Sequence, residues 1–323
     1  MEYTSHYSVL LNECLDAVSL GVEAIDNPIV ADMTWGGGGH SLAMAKLFPE
    51  SNVYSVDQDP DALANGARLI KEGNFEGRVH LNKMNFESFP DWFKLNHPDK
   101  KISGVIMDLG VSSHHFDKFD RGFSFREDAP LDMRMDHHDE DLETAADILN
   151  SYSEEDLANM IFKYADERYS RRIAKLIVES RAEEKVERTK QLENICFHAY
   201  PKKDRHKGIH PATKTFQALR IHVNRELEVL ENTIEKMFGI LENNGVLAII
   251  SFHSLEDRIV KHKYKEIFQN DKTIANIVTK KPIYPSEREL GENPRSRSAK
   301  LRVLQKVEAG SRRSNGKKAS YYK

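Results

Sequence analysis

The stretch ADMTWGGGGHSLAMA, residues 31–45, sets four consecutive glycines between a short apolar run and a helical pattern. PIVADM, at 28–33, has strand length and composition, and HSLAMAKLF after the glycines has helical periodicity. A glycine-rich turn from strand to helix lets a ligand sit against bare backbone, with the helix N-terminal amides pointing at it. Further strand-like runs follow at NVYSVD (52–57), RVHLN (78–82) and ISGVIMDLG (102–110). Between them lies the helical pattern PDALANGARLI, with Asp59 as its predicted N-cap and Pro60 at its first position. The order is βαβα, which calls for a parallel sheet covered on both faces.

The alternation stops at about residue 113. Helical periodicity alone runs to about 209, and strand-helix alternation resumes with PATKTFQALRIHVNRELEVLENTIEKMFGIL, the turn NNG and the apolar run VLAIISF (246–252). The expected organisation is therefore a discontinuous α/β domain, 1–112 with 210–323, and an inserted all-helical domain, 113–209. A basic flexible tail is expected at about 308–323.

The 323 residues, 39% of them hydrophobic, can supply a sizeable core, and no apolar run is long enough for a membrane span. The N-terminus has neither a basic nor an apolar export region. Cys14 and Cys196 are the two cysteines, a usage that fits a reducing compartment, so a cytoplasmic protein is expected. Four histidine pairs or near-pairs occur without an accompanying cysteine, and no metal is expected. The net charge of −4 hides an asymmetry. Residues 126–157 carry twelve acids against two arginines, without the spacing of a calcium loop, whereas residues 295–323 carry ten Lys or Arg against Glu308. The basic end reads either as a nucleic-acid footprint or as a solvated tail.

The glycine spacing matches neither a dinucleotide fingerprint nor a phosphate loop, which would need Lys-Ser/Thr where this chain has His40-Ser41. Asp32 precedes the glycines and Asp57 closes the next strand, where such sheets place the group that binds ribose hydroxyls. Two acids around a glycine turn suit a nucleoside without pyrophosphate, S-adenosyl-L-methionine being the commonest. NAD, or a turn kept for packing alone, remains open at this point.

DMTWGGGGHS, DLGVSS (108–113), RGFSFREDAPLDMRMD (121–136), ERYSRRIAKLIV (167–178), HPATKTFQALRIHVNRELE (210–228), SFHSLEDRIVK (251–261) and NPRSRSAKLRVL (293–304) cover nearly the whole chain. Together they resemble the bacterial 16S ribosomal RNA (cytosine-N4)-methyltransferase family, which acts on the exocyclic amine of a cytidine in the decoding region using S-adenosyl-L-methionine. The resemblance implies a Rossmann-like class I methyltransferase sheet with the helical domain inserted for substrate recognition, and 16S rRNA, within the small ribosomal subunit, as partner. It implies cofactor contacts at Gly38, Gly39, His40, Asp57, Phe86 and Asp108. Two positions depart from the family pattern: Met33 stands where Gly is usual, and His114-His115 where Pro-Gln is usual, which makes His115 the replacement contact.

Asp108 is the leading acceptor for the target amine, or else a cofactor contact alone. His253 is a second catalytic candidate, or else a helix cap beside Ser254. Asp257 and Arg258 are expected to pair. Arg121, Phe123 and Phe125 are candidates to hold a phosphate and stack a base, or else to pack a loop. His206, Lys207, His210 and Lys214, with Arg168, Arg171 and Arg172, are candidate phosphate contacts, or else solvated charges. Competing readings of the whole chain are a methyltransferase of another nucleic acid and a ribosome-assembly factor that keeps the fold without catalysis.

Overall fold

The computed structural model describes residues 8–23, 25–111 and 119–308. His115 and the basic residues 309–323 lie outside them. The chain divides into two compact units, Met1–Gly110 with Leu227–Lys323, and Val111–Glu226.

In the first unit seven strands form one sheet: β1 (Ile29–Asp32), β2 (Asn52–Asp57), β3 (Val79–Lys83), β4 (Ile102–Asp108), β5 (Leu241–Ser251), β6 (Ala275–Ile277) and β7 (Lys300–Lys306). Their order is β3-β2-β1-β4-β5-β7-β6; the first five are parallel, and β7 is antiparallel to β5 and β6. The central strands read as continuous apolar runs because both faces are covered. One face packs Met33, Phe89, Phe93, Val105, Met107 and Tyr264, and the other Val18, Trp35, Met44, Ile106 and Ile250. Helices α1 (Leu11–Val22), α2 (Gly39–Leu47), α3 (Pro60–Glu72) and α4 (Phe89–Asn96) belong to this unit. Asp59 caps α3, accepting from the Asp61 amide at 3.0 Å, as the sequence predicts. The chain leaves β1 toward β2 and β3 on one side and occupies β4 and β5 on the other. The carboxyl ends of β1 and β4 therefore adjoin where the strand order reverses, the place at which such sheets bind ligands.

The second unit contains α5 (Ala145–Ser151), α6 (Glu154–Ala165), α7 (Ser170–Glu183), α8 (Thr189–Ala199) and α9 (Thr213–Val223) around Leu157, Ile161, Ile173, Ile177, Leu192 and Phe216. Part of the acidic run serves helix starts here. Asp147 closes a capping box with Thr144, and Glu154, Glu155 and Asp156 occupy the first turn of α6, where carboxylates complement the exposed amides.

The long amphipathic run from 211 onward is two helices rather than one. Arg225 has φ of 49°, a left-handed conformation that ends α9 before α10 (Glu226–Gly239) begins. The second unit consequently extends to Glu226 instead of 209, because Phe216, Leu219 and Val223 of α9 lie in its core. Strand β5 starts at Leu241 rather than 246, since Leu241 pairs with Ile102 before a register shift, with Asn244 at φ of 69°. The remaining helices of the first unit are α11 (Ser254–Asn270) and α12 (Glu287–Glu292). Part of the basic C-terminal segment is structural. Arg302 in β7 is buried and donates to both carboxylate oxygens of Asp257, at 2.7 and 3.2 Å. Asp257 thus pairs across to β7, not with Arg258.

Candidate active site

Asp32, at the end of β1, is fully buried. Its Oδ2 accepts from the Ser41 hydroxyl at 2.6 Å, and its Oδ1 from the Thr34 amide at 3.1 Å. Ser41 also stands 2.8 Å from the Ser55 hydroxyl. Burial pushes the Asp32 carboxyl up to about 6, against the pull of these hydrogen bonds. The Thr34 hydroxyl in turn accepts from the Asp108 amide at 2.8 Å, so the ends of β1 and β4 are tied through one side chain. Met33, at the position of a family glycine, is buried in the sheet core with its amide bonded to the Ile106 carbonyl at 2.9 Å.

Asp57, at the end of β2, braces the glycine turn. Its Oδ2 accepts from the Gly36 amide at 2.8 Å and its Oδ1 from the Asp59 amide at 2.9 Å. A carboxylate has about four lone-pair sites, so Asp57 is of the right chemical type to accept from a diol. Gly36 and Gly38 have φ of 50° and 79°, conformations that explain glycine at both positions. At Gly38 the close neighbour is the protein's own tryptophan: a Cβ there would stand 2.6 Å from the Trp35 ring. Bare backbone at this position is required by the indole beneath it as well as by the turn.

His40, in the first turn of α2, is buried, with Nε2 3.0 Å from the Val9 carbonyl. A carbonyl only accepts, so Nε2 carries the hydrogen and Nδ1 is a bare acceptor facing Asp108 Oδ2 at 3.9 Å. Burial lowers the His40 pKa to about 4, so the ring is neutral at pH 7 and this contact is not an ion pair. Asp108, at the end of β4, is held well above the usual carboxylate range by burial, reinforced by the charges of Asp32, Glu256 and Glu289. Its Oδ1 is buried with no hydrogen-bond partner among the described residues. Two residues on, Gly110 has φ of 95°, and among the described residues a Cβ there would meet Phe252, at 3.9 Å. Phe86 is half-buried after β3 and packs on the sheet core.

The remaining candidates divide clearly. His253 occupies the N-cap of α11, with Nε2 3.1 Å from the Glu256 carboxylate, while Glu256 accepts from the Phe252 amide at 2.8 Å. In the second unit Arg121 is buried and donates to the carbonyls of Arg134 and Met135, both at 2.6 Å. Phe123 is buried in the helical core. Both residues thus make contacts within their own unit. Phe125 is half-buried and stacks on His210 at 4.8 Å. Lys214 donates to the Asp166 carbonyl at 2.8 Å. Thr34, Ser41 and Trp35 were not singled out by sequence; a hydroxyl pair flanking a buried acid was the signal available for the first two.

A 3-2-1-4-5-7-6 sheet with an antiparallel β7, an acid-braced glycine turn after β1 and a carboxyl lacking a partner at the end of β4 define a Rossmann-like class I methyltransferase. A family model described as the MraW methylase family matches residues 3–307, and the chain belongs to that family. Among its relatives, ribosomal RNA small subunit methyltransferase H of Clostridioides difficile is 43% identical, covering 94% of this chain and 99% of its own length. Proteins of the same name from Sulfurihydrogenibium and Picosynechococcus are each 45% identical, covering 94% and 93% of this chain and 99% and 96% of their own lengths.

Proposed function

We propose that the chain transfers a methyl group from S-adenosyl-L-methionine to the exocyclic N4 of a cytidine in the decoding region of 16S rRNA. The observation that carries the reading is the buried Asp108 Oδ1, without a hydrogen-bond partner among the described residues at the sheet's switch point, its Oδ2 facing the neutral His40 at 3.9 Å. A buried polar atom without a partner is costly unless a ligand satisfies it. Membership of a methylase family, and near-full-length relatives named for small-subunit rRNA methylation, support the substrate class. The particle carrying that RNA is, in this reading, the cytoplasmic small ribosomal subunit. Among the described residues no helix is long and apolar enough to cross a membrane.

The cofactor supplies an electrophilic methyl on a positive sulfur. Asp57 would accept from its ribose hydroxyls, the amides at Gly39 and His40 would be offered to its methionine end while the Gly38 amide is held by the Trp35 carbonyl at 2.6 Å, and Phe86 would offer a ring to adenine. Asp108 takes up a hydrogen bond from the target amine, whose lone pair is delocalised into the ring and must be freed as attack proceeds. With a positively charged sulfonium held beside it, Asp108 would be favoured as the carboxylate that this role requires, and the methylated amine would shed its proton as the sulfur leaves as a neutral thioether.

Isothermal titration with S-adenosyl-L-methionine tests the cofactor site. Asp57→Ala should abolish binding, whereas affinity within twofold of wild type would place the ribose elsewhere. Mass mapping of 16S rRNA from a strain lacking the gene tests the substrate, and an unchanged cytidine profile would refute it. Heat of cofactor binding without any loss of methylcytidine would leave the assembly-factor alternative.

A further inference from the structure

The second unit carries a patch separate from the residues assigned above to the cofactor. Between α8 and α9 the segment PKKDRHKGIH (201–210) folds around one acid. Asp204 accepts from the Tyr169 hydroxyl at 3.0 Å and lies 3.3 Å from Arg168 and 3.6 Å from Lys207. The side chains of these two cations are 65% and 71% exposed, so both charges remain available to solvent. Rings flank the same segment. His210 stacks on Phe125 at 4.8 Å with planes 29° apart, and its ring lies 6.3 Å from that of Phe197 at 21°. The Arg205 guanidinium sits 4.9 Å from the Phe197 centroid. His210 is held rigid: its Nδ1 accepts from the Ala212 amide at 3.2 Å, and its Nε2 faces Glu193 at 3.5 Å. Glu193 is itself neutralised by Lys190 at 2.8 Å. Next to His210 in the chain, the aliphatic Ile209 is 60% exposed.

We propose that this face is a platform for a single-stranded RNA segment, with bases stacking on Phe197–Arg205 and Phe125–His210 while Arg168 and Lys207 hold phosphates. The proposal rests on the RNA reading above and extends it to a surface within the second unit. Near-parallel rings and a guanidinium interleaved with exposed cations match an unpaired strand, in which every base offers a π face and every link a charge. A duplex hides its base faces, and an acidic peptide would use the cations but not the rings.

The test is fluorescence anisotropy of the full chain with labelled polyuridine RNA, with a duplex RNA of equal length, and with polyglutamate as competitor. Phe197→Leu and Arg205→Gln should each weaken polyuridine binding about five- to tenfold, with a smaller effect on the duplex. Phe197→Tyr, which keeps the ring, should restore affinity. Lys207→Gln should reduce the slope of log affinity against log salt by about 0.7. Unchanged polyuridine affinity, equal loss on the duplex, or equipotent displacement by polyglutamate would each overturn the platform. Calorimetry on the same variants separates the two readings. Intact cofactor binding with unaltered RNA affinity sinks the platform alone, whereas a wild type that binds no cofactor yet loses RNA on Phe197→Leu sinks the methyl-transfer reading alone.

Discussion

Two side chains that face each other at 3.9 Å, His40 and Asp108, make separate predictions. His40 is driven down from 6.5 to about 4 by burial. The unfolded chain therefore takes a proton near pH 6.5 that the folded chain refuses until about pH 4. The stability associated with neutral His40 is complete above pH 6.5 and is lost as pH falls toward 4, with a ceiling of about 3 kcal/mol. In His40→Gln this loss disappears, so the difference in denaturant midpoint between variant and wild type should change across that window and be flat above it. Asp32, raised to about 6, has the opposite sign: its contribution falls as pH rises from about 4 to 6. Asp108, also raised by burial, adds to the Asp32 trend, and neutral His40 opposes both, so the variant should lose stability with rising pH more steeply than the parent between pH 4 and 6.5. Asp108→Asn keeps the shape but weakens the acceptor. Single-turnover methyl transfer should fall about a hundredfold with cofactor affinity changed far less. A loss confined to cofactor affinity would reduce Asp108 to a binding contact.

At the junction where α9 ends, Asn224 shows how one side chain decides the course of an element. Its Oδ1 accepts from the Met135 amide at 2.8 Å, and its Nδ2 donates to the Met133 and Arg220 carbonyls, each at 2.8 Å. Met133 is itself left-handed at φ of 62°, so the segment 133–135 is an irregular loop whose backbone is satisfied by a helix terminus. Asn224→Ala leaves buried backbone groups without partners. It should destabilise the second unit by about 2–4 kcal/mol, read as lost hydrogen-exchange protection at Met135 and neighbouring amides. The periodicity of 211–241 was legible but its interruption was not, because neither Asn224 nor Arg225 breaks a helix by composition. The strands β1 to β4 could be located to within a residue or two from their apolar runs, and the Asp59-Pro60 signal marked the start of α3. The short β6 and the irregular start of β5 carried no such pattern.

For the molecule as a whole, a ligand that binds only the folded first unit must stabilise it by mass action. S-adenosyl-L-methionine at a hundred times its dissociation constant should raise unfolding free energy by about 2.7 kcal/mol, visible as a shift in the denaturant midpoint. Asp57→Ala should show no shift at the same concentration. A wild type equally insensitive would mean that the glycine turn, though braced, holds no such ligand.

Fold class and the family were readable from the chain alone, because each is written in local patterns: strand-length apolar runs, a glycine turn flanked by acids, and long motifs. The candidate site divided along a different line. That Asp57, Asp108 and His40 gather near one turn follows from the spatial strand order, which the alternation of strands and helices along the chain does not state. That Arg121 is spent on backbone carbonyls, that Trp35 lies under Gly38, and that Asp257 reaches Arg302 instead of its neighbour Arg258 depend on contacts between residues far apart in the chain or on the exact direction of a side chain. Burial and hydrogen-bond partnership are properties of the packed chain. Sequence could therefore nominate these residues by type, and only packing could set which remained available to a ligand.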